Sequence, residues 1–135
     1  MDINIPSAVA QLTAAFEAYE LAFVANDVAA LTALFWDSDR VIRFGGAGEN
    51  LFGAAEIAAF RQARATGDLQ RDLARTVITT FGHDFGTAST LFRRHATGKT
   101  GRQMQTWVRF DGHWRIVAAH ISTFDFPFPE TELPA

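Results

Sequence analysis

The sequence predicts an α+β domain in which helices come first and an antiparallel sheet follows. In the first third of the chain, apolar residues recur at spacings of three and four, as on a helix. From Arg71 onward the period changes to two, with β-branched and aromatic residues alternating. The pair Asp111-Gly112 between Phe110 and His113 is typical of a two-residue hairpin turn. Helices and strands segregated in this way form one sheet packed against helices.

The composition restricts the class of protein. With 135 residues, 48% of them hydrophobic, we expect one domain over residues 1–135 that ends in a Pro-rich tail over 125–135. The chain has no cysteine, which excludes disulfides, a thiol nucleophile and Cys-ligated metals. No apolar run is long enough to span a bilayer, so we expect no membrane contact. The first basic residue is Arg40, which argues against an export signal and for a cytoplasmic location.

The charge is unevenly distributed along the chain. Residues 1–39 carry six acids and no base, whereas residues 40–135 carry twelve bases and nine acids. Eleven of the twelve bases are Arg, which binds carboxylates in a bidentate manner, although Arg usage can equally reflect genome composition. The net charge of −3 and the lack of a basic stripe argue against a nucleic-acid partner.

Three helices are expected before the sheet. The first covers residues 7–25, behind Pro6 and with Ser7 as its N-cap, and it presents an apolar stripe of Val9, Leu12, Phe16, Tyr19 and Phe23. A short second helix, capped by Asp27, turns Leu31, Leu34 and Phe35 inward. The third covers about 54–66, with Ile57 and Phe60 inward and with Arg61 and Arg64 on a solvated face.

Five strands are expected. The first is short, residues 40–44, and ends at Gly45-Gly46, after which a Gly-rich loop leads to the third helix. The last four form a meander over residues 73–82, 85–95, 102–110 and 113–124.

The hairpin turn predicts a register between the last two strands. If Phe110 pairs with His113, then Trp107 lies opposite Ile116, Gln105 opposite Ala118 and Gln103 opposite His120, all on one face. Neither face of this pair alternates as a solvated surface would, so both should be covered. We therefore expect a homodimer or a higher homo-oligomer.

Tyr19 and Arg43 are the candidate catalytic residues. Tyr19 is the only tyrosine and lies in the apolar stripe of the first helix, where its hydroxyl needs a polar partner. It is either a core aromatic or a hydrogen-bond donor to a substrate oxygen. Arg43 ends the first strand beside two glycines. It can clamp a carboxylate, lie exposed at a sheet edge, or form a structural ion pair with Glu49.

Five further residues are candidates for substrate binding, namely Glu49, Gln103, Gln105, Trp107 and His120. Glu49 either orients Arg43 or helps to cap the third helix. The two glutamines supply amide donors, and His120 is either a buried, satisfied histidine or a substrate contact. Trp107 also fits simple packing. The four histidines lack metal-ligand spacing, and no dinucleotide or phosphate-loop motif is present, so no metal or cofactor is expected.

The sequence carries a set of motifs along most of its length, namely Tyr19-Glu20, Asn26-Asp27, Leu34-Phe35-Trp36, Arg43 with Gly45, Glu49-Asn50, Phe52-Gly53, Phe60-Arg61, Gln103, Gln105-Thr106-Trp107 and residues 114–120. In these motifs it resembles the AtzH-like proteins, which are small SnoaL-like members of the cone-shaped fold shared with nuclear transport factor two and ketosteroid isomerase. One departure is Met104, where similar sequences often carry a small polar residue.

The resemblance implies a pocket between the first helix and a curved sheet, with Tyr19 and Arg43 as the pocket tyrosine and arginine. It also implies an activity like that of decarboxylating amidohydrolases, on a small carboxylated urea or amide in nitrogen or purine catabolism. The main alternative is a non-catalytic protein that binds a similar small anion or serves as an accessory of an amidase. A third, an isomerase or cyclase, needs a carboxylate base facing the pocket.

Overall fold

Three helices pack on a curved six-stranded sheet in the computed structural model, which describes residues 1–64 and 67–130. The helices are α1 (Pro6–Val24), α2 (Val28–Leu34) and α3 (Ala54–Ala63), and the strands are β1 (Ile42–Phe44), β2 (Asn50–Phe52), β3 (Arg71–Phe81), β4 (Phe85–Arg94), β5 (Thr100–Phe110) and β6 (His113–Thr123). The strand order is β2-β1-β6-β5-β4-β3, and only the β1–β6 pair is parallel. The predicted α+β class is confirmed.

Helix α1 supplies the largest apolar surface that covers the sheet. Its buried residues are Ala8, Leu12, Phe16, Tyr19, Ala22 and Phe23, which includes most of the predicted stripe. The helix begins at Pro6, and neither Ile5 nor any other side chain caps it, so the Ser7 cap is wrong. Proline at the first helical position presets φ and needs no cap for its missing N–H. The helix ends at Val24, one residue before the predicted end, and Asn26 follows it in the left-handed region at φ +50°.

The two shorter helices follow the predicted order. The Asp27 side chain accepts a hydrogen bond from the Ala30 amide at 3.1 Å, which confirms the cap of α2. Phe35 is buried but lies just beyond the end of α2. Helix α3 ends at Ala63, and the last two residues of its predicted span, 65 and 66, lie outside the described residues.

The segment after the first strand differs from the prediction. Residues 50–52, predicted as loop, form β2, which pairs with β1 in antiparallel fashion. A strand of three residues is too short to display the period of two on which sequence analysis depends. Gly45 allows the close approach expected of the glycine pair, because a Cβ there would collide with the Glu49 carboxylate.

A β-bulge divides the predicted β5–β6 register into a correct half and a wrong half. Phe110 pairs with His113 and Trp107 with Ile116, as predicted. The register then shifts by one, so that Gln105 pairs with Ala119 instead of Ala118. The extra residue on β6 sends every later side chain to the opposite face.

His120 changes face because of this bulge. It pairs with Met104 instead of Gln103, and both His120 and Met104 are exposed on the outer face of the sheet, away from the helices. Ala119 and Ile121 take the inner positions and join the core beneath the helices. The predicted grouping of His120 with Gln103 and Gln105 is therefore wrong.

The Pro-rich tail lies along the sheet as far as the structure describes it. The Arg93 guanidinium forms an ion pair with Glu130 and lies 4.8 Å from the centre of the Phe128 ring. The rest of the predicted tail, residues 131–135, lies outside the described residues. Among the described residues, no helix is both long and apolar enough to cross a membrane.

Candidate functional site

A cavity of about 200 Å³ opens on the inner side of the sheet, next to the loop that joins β1 and β2. Four arginines lie on its wall, Arg43, Arg64, Arg71 and Arg94, and we call it the arginine cavity. Lys99 and Glu49 also line it. The described wall therefore carries five basic side chains and one acidic side chain. Positive charge concentrated in a small, partly enclosed space favours an anionic ligand.

Arg43 is held in the cavity by its strand. Strand β1 lies between β2 and β6, and this position leaves Arg43 only 4% exposed. Its Nε and Nη1 atoms are buried and have no hydrogen-bond partner in the part of the chain that the structure describes. The Glu49 carboxylate accepts instead from the Ala47 amide, at 3.1 Å. Burial, together with the positive charge of Arg61, lowers the pKa of Arg43 to about 10, so the guanidinium remains charged at neutral pH.

Arg71 and Arg64, two of the other arginines on the wall, differ in how their charge and donors are satisfied. Arg71 pairs with Glu20 of α1 and donates to the Gln103 side-chain oxygen at 3.1 Å, so its charge is balanced within the chain. The Arg64 Nη1 atom is buried and has no hydrogen-bond partner in residues 1–64 and 67–130. Burial and the neighbouring charge of Arg61 lower the pKa of Arg64. Arg43, Arg64 and Arg94 are therefore wall residues that combine a positive charge with a buried donor that has no partner among the described residues.

Aromatic rings separate these guanidinium groups. The Cζ atoms of Arg43 and Arg64 lie 5.2 and 5.4 Å from the centre of the Phe60 ring. The Arg71 Cζ lies 4.1 Å from the centre of the Phe23 ring. The negative face of an aromatic ring attracts a cation, but it accepts no conventional hydrogen bond from the N–H groups at the edge of a guanidinium. The rings thus stabilise crowded charges while leaving the N–H groups free for a ligand.

Tyr19 lies behind the cavity wall, only 1% exposed. Its hydroxyl oxygen accepts a hydrogen bond from Arg61 Nη2 at 3.4 Å. Burial raises the pKa of Tyr19, but the charges of Arg61, Arg43 and Arg71 together outweigh burial and bring it below its ordinary value. The Tyr19 side chain does not line the arginine cavity.

The predicted solvated face of α3 is wrong for Arg61, which is 1% exposed. Arg61 follows Ile57 by four residues, and positions four apart share one face of a helix. The apolar face of α3 therefore carries an arginine inward with Ile57. Arg64 is half-buried at the cavity wall, so the prediction fails for it as well.

The polar residues of β5 are enclosed, but only one reaches the cavity. Gln103 is 1% exposed and lines the cavity, and its Nε2 atom has no partner. The Gln105 oxygen accepts from the Trp107 indole N–H at 3.1 Å, and neither side chain lines the cavity. Within the described part of the chain, no three His, Asp or Glu side chains are grouped to hold a metal ion.

Comparison with known proteins identifies the family. A sequence model of the AtzH-like family matches residues 1–126. The chain belongs to the AtzH-like family. A crystal structure of a protein of unknown function from Pectobacterium atrosepticum shares 52% identity, with 92% of this chain and 96% of that chain covered and a TM-score of 0.88. A cystatin-like fold protein from Burkholderia xenovorans shares 47% identity over 94% and 99% of the two chains, also with a TM-score of 0.88.

More distant structures share the fold of this AtzH-like protein. A ketosteroid isomerase-like protein from Erwinia carotovora atroseptica, 18% identical, has a TM-score of 0.70 over 90% of this chain and all of the other. At that identity the similarity concerns the fold alone. No curated protein matches the chain.

In this AtzH-like protein, His120 lies outside the arginine cavity. It borders an open groove of about 470 Å³ on the outer face, together with Met104, and its ring meets the edge of Phe44 with centroids 5.7 Å apart. The structure thus brings Arg43, Glu49 and Gln103 to one cavity, places Tyr19 directly behind it, and leaves His120 outside.

Sequence analysis missed several residues of this site, namely Glu20, Arg61, Arg64, Arg71, Arg94 and Lys99. Arg71 was noted only as the point where the period changes, yet it is the residue that neutralises Glu20. One available signal was the charge asymmetry, because Glu20, an acid of the first helix, pairs with Arg71, a base of the later segments that lines this cavity.

Proposed function

We propose that this AtzH-like protein is a cofactor-independent hydrolase or decarboxylase that acts on a small carboxylated urea or amide in nitrogen or purine catabolism. One observation carries the proposal: buried N–H groups of Arg43, Arg64 and Gln103 have no hydrogen-bond partner among the described residues, and all three side chains line one cavity. Buried donors are nearly always paired in folded proteins. Vacant donors beside net positive charge call for a ligand that carries oxygen acceptors and negative charge.

The size of the cavity supports a small ligand. Its volume of about 200 Å³ lies below the roughly 300–1,000 Å³ typical of pockets for drug-sized molecules. A carboxylated urea has few heavy atoms, and each of its oxygens is an acceptor. Arg43 would hold the carboxylate in a charge-assisted hydrogen bond, and Gln103 would donate to a carbonyl oxygen.

The proposed reaction uses water as the nucleophile. Water adds to the amide carbonyl carbon, the C–N bond breaks, and the departing nitrogen takes one proton. Because Tyr19 does not line the cavity, the proposal requires the substrate to reach past the cavity wall to the Tyr19 hydroxyl. There Tyr19 supplies that proton and recovers one from the water that was added. A carbamate formed in this way then loses carbon dioxide. Arg43 and the neighbouring donors lower the barrier by stabilising the negative charge that develops on oxygen.

Turnover of a panel of carboxylated ureas and amides tests the proposal. On a substrate that the protein converts, Arg43→Ala and Tyr19→Phe should each lower kcat/KM by about a hundredfold or more, since one preorganised donor is worth about that much. His120→Ala is the matched control and should leave kcat/KM within about threefold, because His120 lies on the outer face. Full activity in both Arg43→Ala and Tyr19→Phe would refute the assignment.

A non-catalytic anion-binding protein, or an accessory of an amidase, is the second candidate. The observation that favours it is the enclosed position of Tyr19, which does not line the arginine cavity. Such a protein would bind small carboxylates through Arg43 and Arg64 without converting them. Calorimetric binding that Arg43→Ala abolishes, combined with no turnover across the panel and capture of an amidase, would support this function instead.

A further inference from the structure

Arg61 is a buried cation with no carboxylate partner among the described residues. Its Nη2 donates to the Tyr19 oxygen, and its Nε and Nη1 are buried without partners. Its Cζ lies 5.8 Å from the centre of the Phe35 ring, which offers the charge only a weak attraction. Burying a charge without a counter-charge is costly. Something besides Phe35 must offset the charge of Arg61.

The direction of the hydrogen bond fixes the state of the Tyr19 hydroxyl. A guanidinium has donors and no acceptor, so the Tyr19 oxygen is the acceptor in its bond with Arg61. The proton of Tyr19 must then point elsewhere, and no other described residue is recorded as accepting it. If that proton leaves, the phenolate supplies the negative charge that Arg61 lacks.

Cations face Tyr19 from three elements of the fold. They are Arg61 of α3, Arg43 of β1 and Arg71 of β3, and only Arg71 is balanced, by Glu20 of α1. These charges bring the pKa of Tyr19 below its ordinary value despite burial, with Arg61 the largest of the three and the only one that also bonds to the hydroxyl.

We propose that Arg61 is a positioning residue that holds the Tyr19 oxygen and stabilises the Tyr19 phenolate, so that Tyr19 gives up and regains a proton. When Tyr19 donates its proton to a departing nitrogen, the phenolate remains paired with Arg61 until water returns a proton. The ligand side of this inference rests on the proposed function. The Arg61–Tyr19 pair does not, since it exists without substrate.

The single tyrosine makes the pair directly measurable. Tyr19 is the only tyrosine among 135 residues, so the tyrosinate absorbance of the folded protein reports this one side chain. We would titrate the wild type, Arg61→Gln and Arg61→Lys, with Tyr19→Phe as the blank and circular dichroism at each pH to confirm folding. Arg40→Gln is the matched control, because it removes the same charge from an exposed position that lies outside both the cavity and the outer groove.

We expect the wild-type midpoint to lie below pH 10 and the Arg61→Gln midpoint to rise by about one pH unit or more. Arg61→Lys should fall between them, and Arg40→Gln should match the wild type. A wild-type midpoint above pH 10, as burial alone would produce, overturns the inference without any variant. Equal midpoints in the wild type and a folded Arg61→Gln also overturn it.

The outcome separates this inference from the proposed function. A low Tyr19 midpoint that depends on Arg61, in a protein that turns over no carboxylated urea, would refute the substrate and retain the pair. Where turnover is found, the pH profile of kcat/KM should move with the optical midpoint in Arg61→Gln. A profile that stays in place while the midpoint moves would show that the pair does not serve catalysis.

Discussion

The two faces of the sheet break the usual rule of burial in opposite ways. On β5, Gln103 is 1% exposed on the inner face, whereas its neighbour Met104 is 62% exposed on the outer face. Polar side chains that are buried, and large apolar side chains that are exposed, are the informative exceptions in a soluble fold. Each face therefore requires something that the isolated chain does not contain. By the function proposed above, the inner face binds an anion, and we propose that the outer face is covered by a partner.

The outer face carries exposed apolar side chains beside an open groove. Val77 is 58% exposed there, and the open groove beside Met104 is bordered by Arg75, Arg102 and His120. We propose a homodimer formed through this face. Exposed apolar surface bounded by polar side chains is typical of protein interfaces.

The largest expected effect is on the free energy of unfolding, when an inner arginine that has a carboxylate partner and one that has none are each replaced by methionine. Arg71→Met should lower the free energy of unfolding by about 3–5 kcal/mol, because it leaves the half-buried Glu20 carboxylate without its partner. Arg43→Met should instead raise it by about 1–3 kcal/mol, since an unpartnered buried cation is replaced by an apolar side chain of similar length. Urea unfolding of the ligand-free proteins measures both.

The opposite signs are the test. If Arg43→Met destabilises the protein as much as Arg71→Met does, then Arg43 has a structural role, and its vacant donors are no evidence for a ligand. A gain in stability with loss of ligand binding would instead show that the inner face trades stability for function.

A smaller effect is expected when the outer face is altered. Met104→Glu should weaken self-association by about a hundredfold, because two like charges would then face a desolvated interface. Leu21→Glu is the matched control, since Leu21 is 71% exposed on α1, away from the sheet face. Sedimentation over a range of concentrations measures both. A monomeric wild type, or equal weakening in the two variants, would contradict the proposed interface.

Local chemistry in the sequence predicted most of the fold. The Asp111-Gly112 turn, the Asp27 cap and the apolar stripe of α1 each depend on neighbouring residues, so the sequence alone identifies them. Strand β2 escaped prediction because it has only three residues and is formed by pairing with β1. Tertiary contacts with β1 stabilise this strand, so the local sequence pattern does not indicate it.

The site was predicted less completely, for two physical reasons. The bulge on β6 reverses the faces of all later residues, and the sequence near Val117 contains no glycine or proline to mark it. His120 was therefore placed on the wrong face. Arg61 was assigned to solvent because arginine is rarely buried, although its spacing from Ile57 pointed inward. In both cases tertiary structure overrode a sound general expectation.

The smallest expected effect concerns how the free energy of unfolding changes with pH in the wild type and in Tyr19→Phe. It tests whether the inner face favours a negative charge on Tyr19. The pKa of Tyr19 is lower in the folded protein than in the unfolded chain, so the folded state releases the proton at lower pH. As pH rises toward about 10, the unfolded state binds more protons at this site, and the stability due to Tyr19 increases, by at most about 1.4 kcal/mol per pH unit. That stability is lost as pH falls through the folded pKa.

Urea unfolding of the wild type and of Tyr19→Phe, from about pH 8 to about pH 10, isolates this contribution. Because every other titrating group is common to the two proteins, their difference in unfolding free energy should move in favour of the wild type as pH rises. A constant difference would mean that the substitution changes packing alone and that the cations around Tyr19 do not favour its phenolate. A difference that moves the other way would mean that burial outweighs Arg61, Arg43 and Arg71, and that the inner face disfavours the negative charge it was inferred to accept.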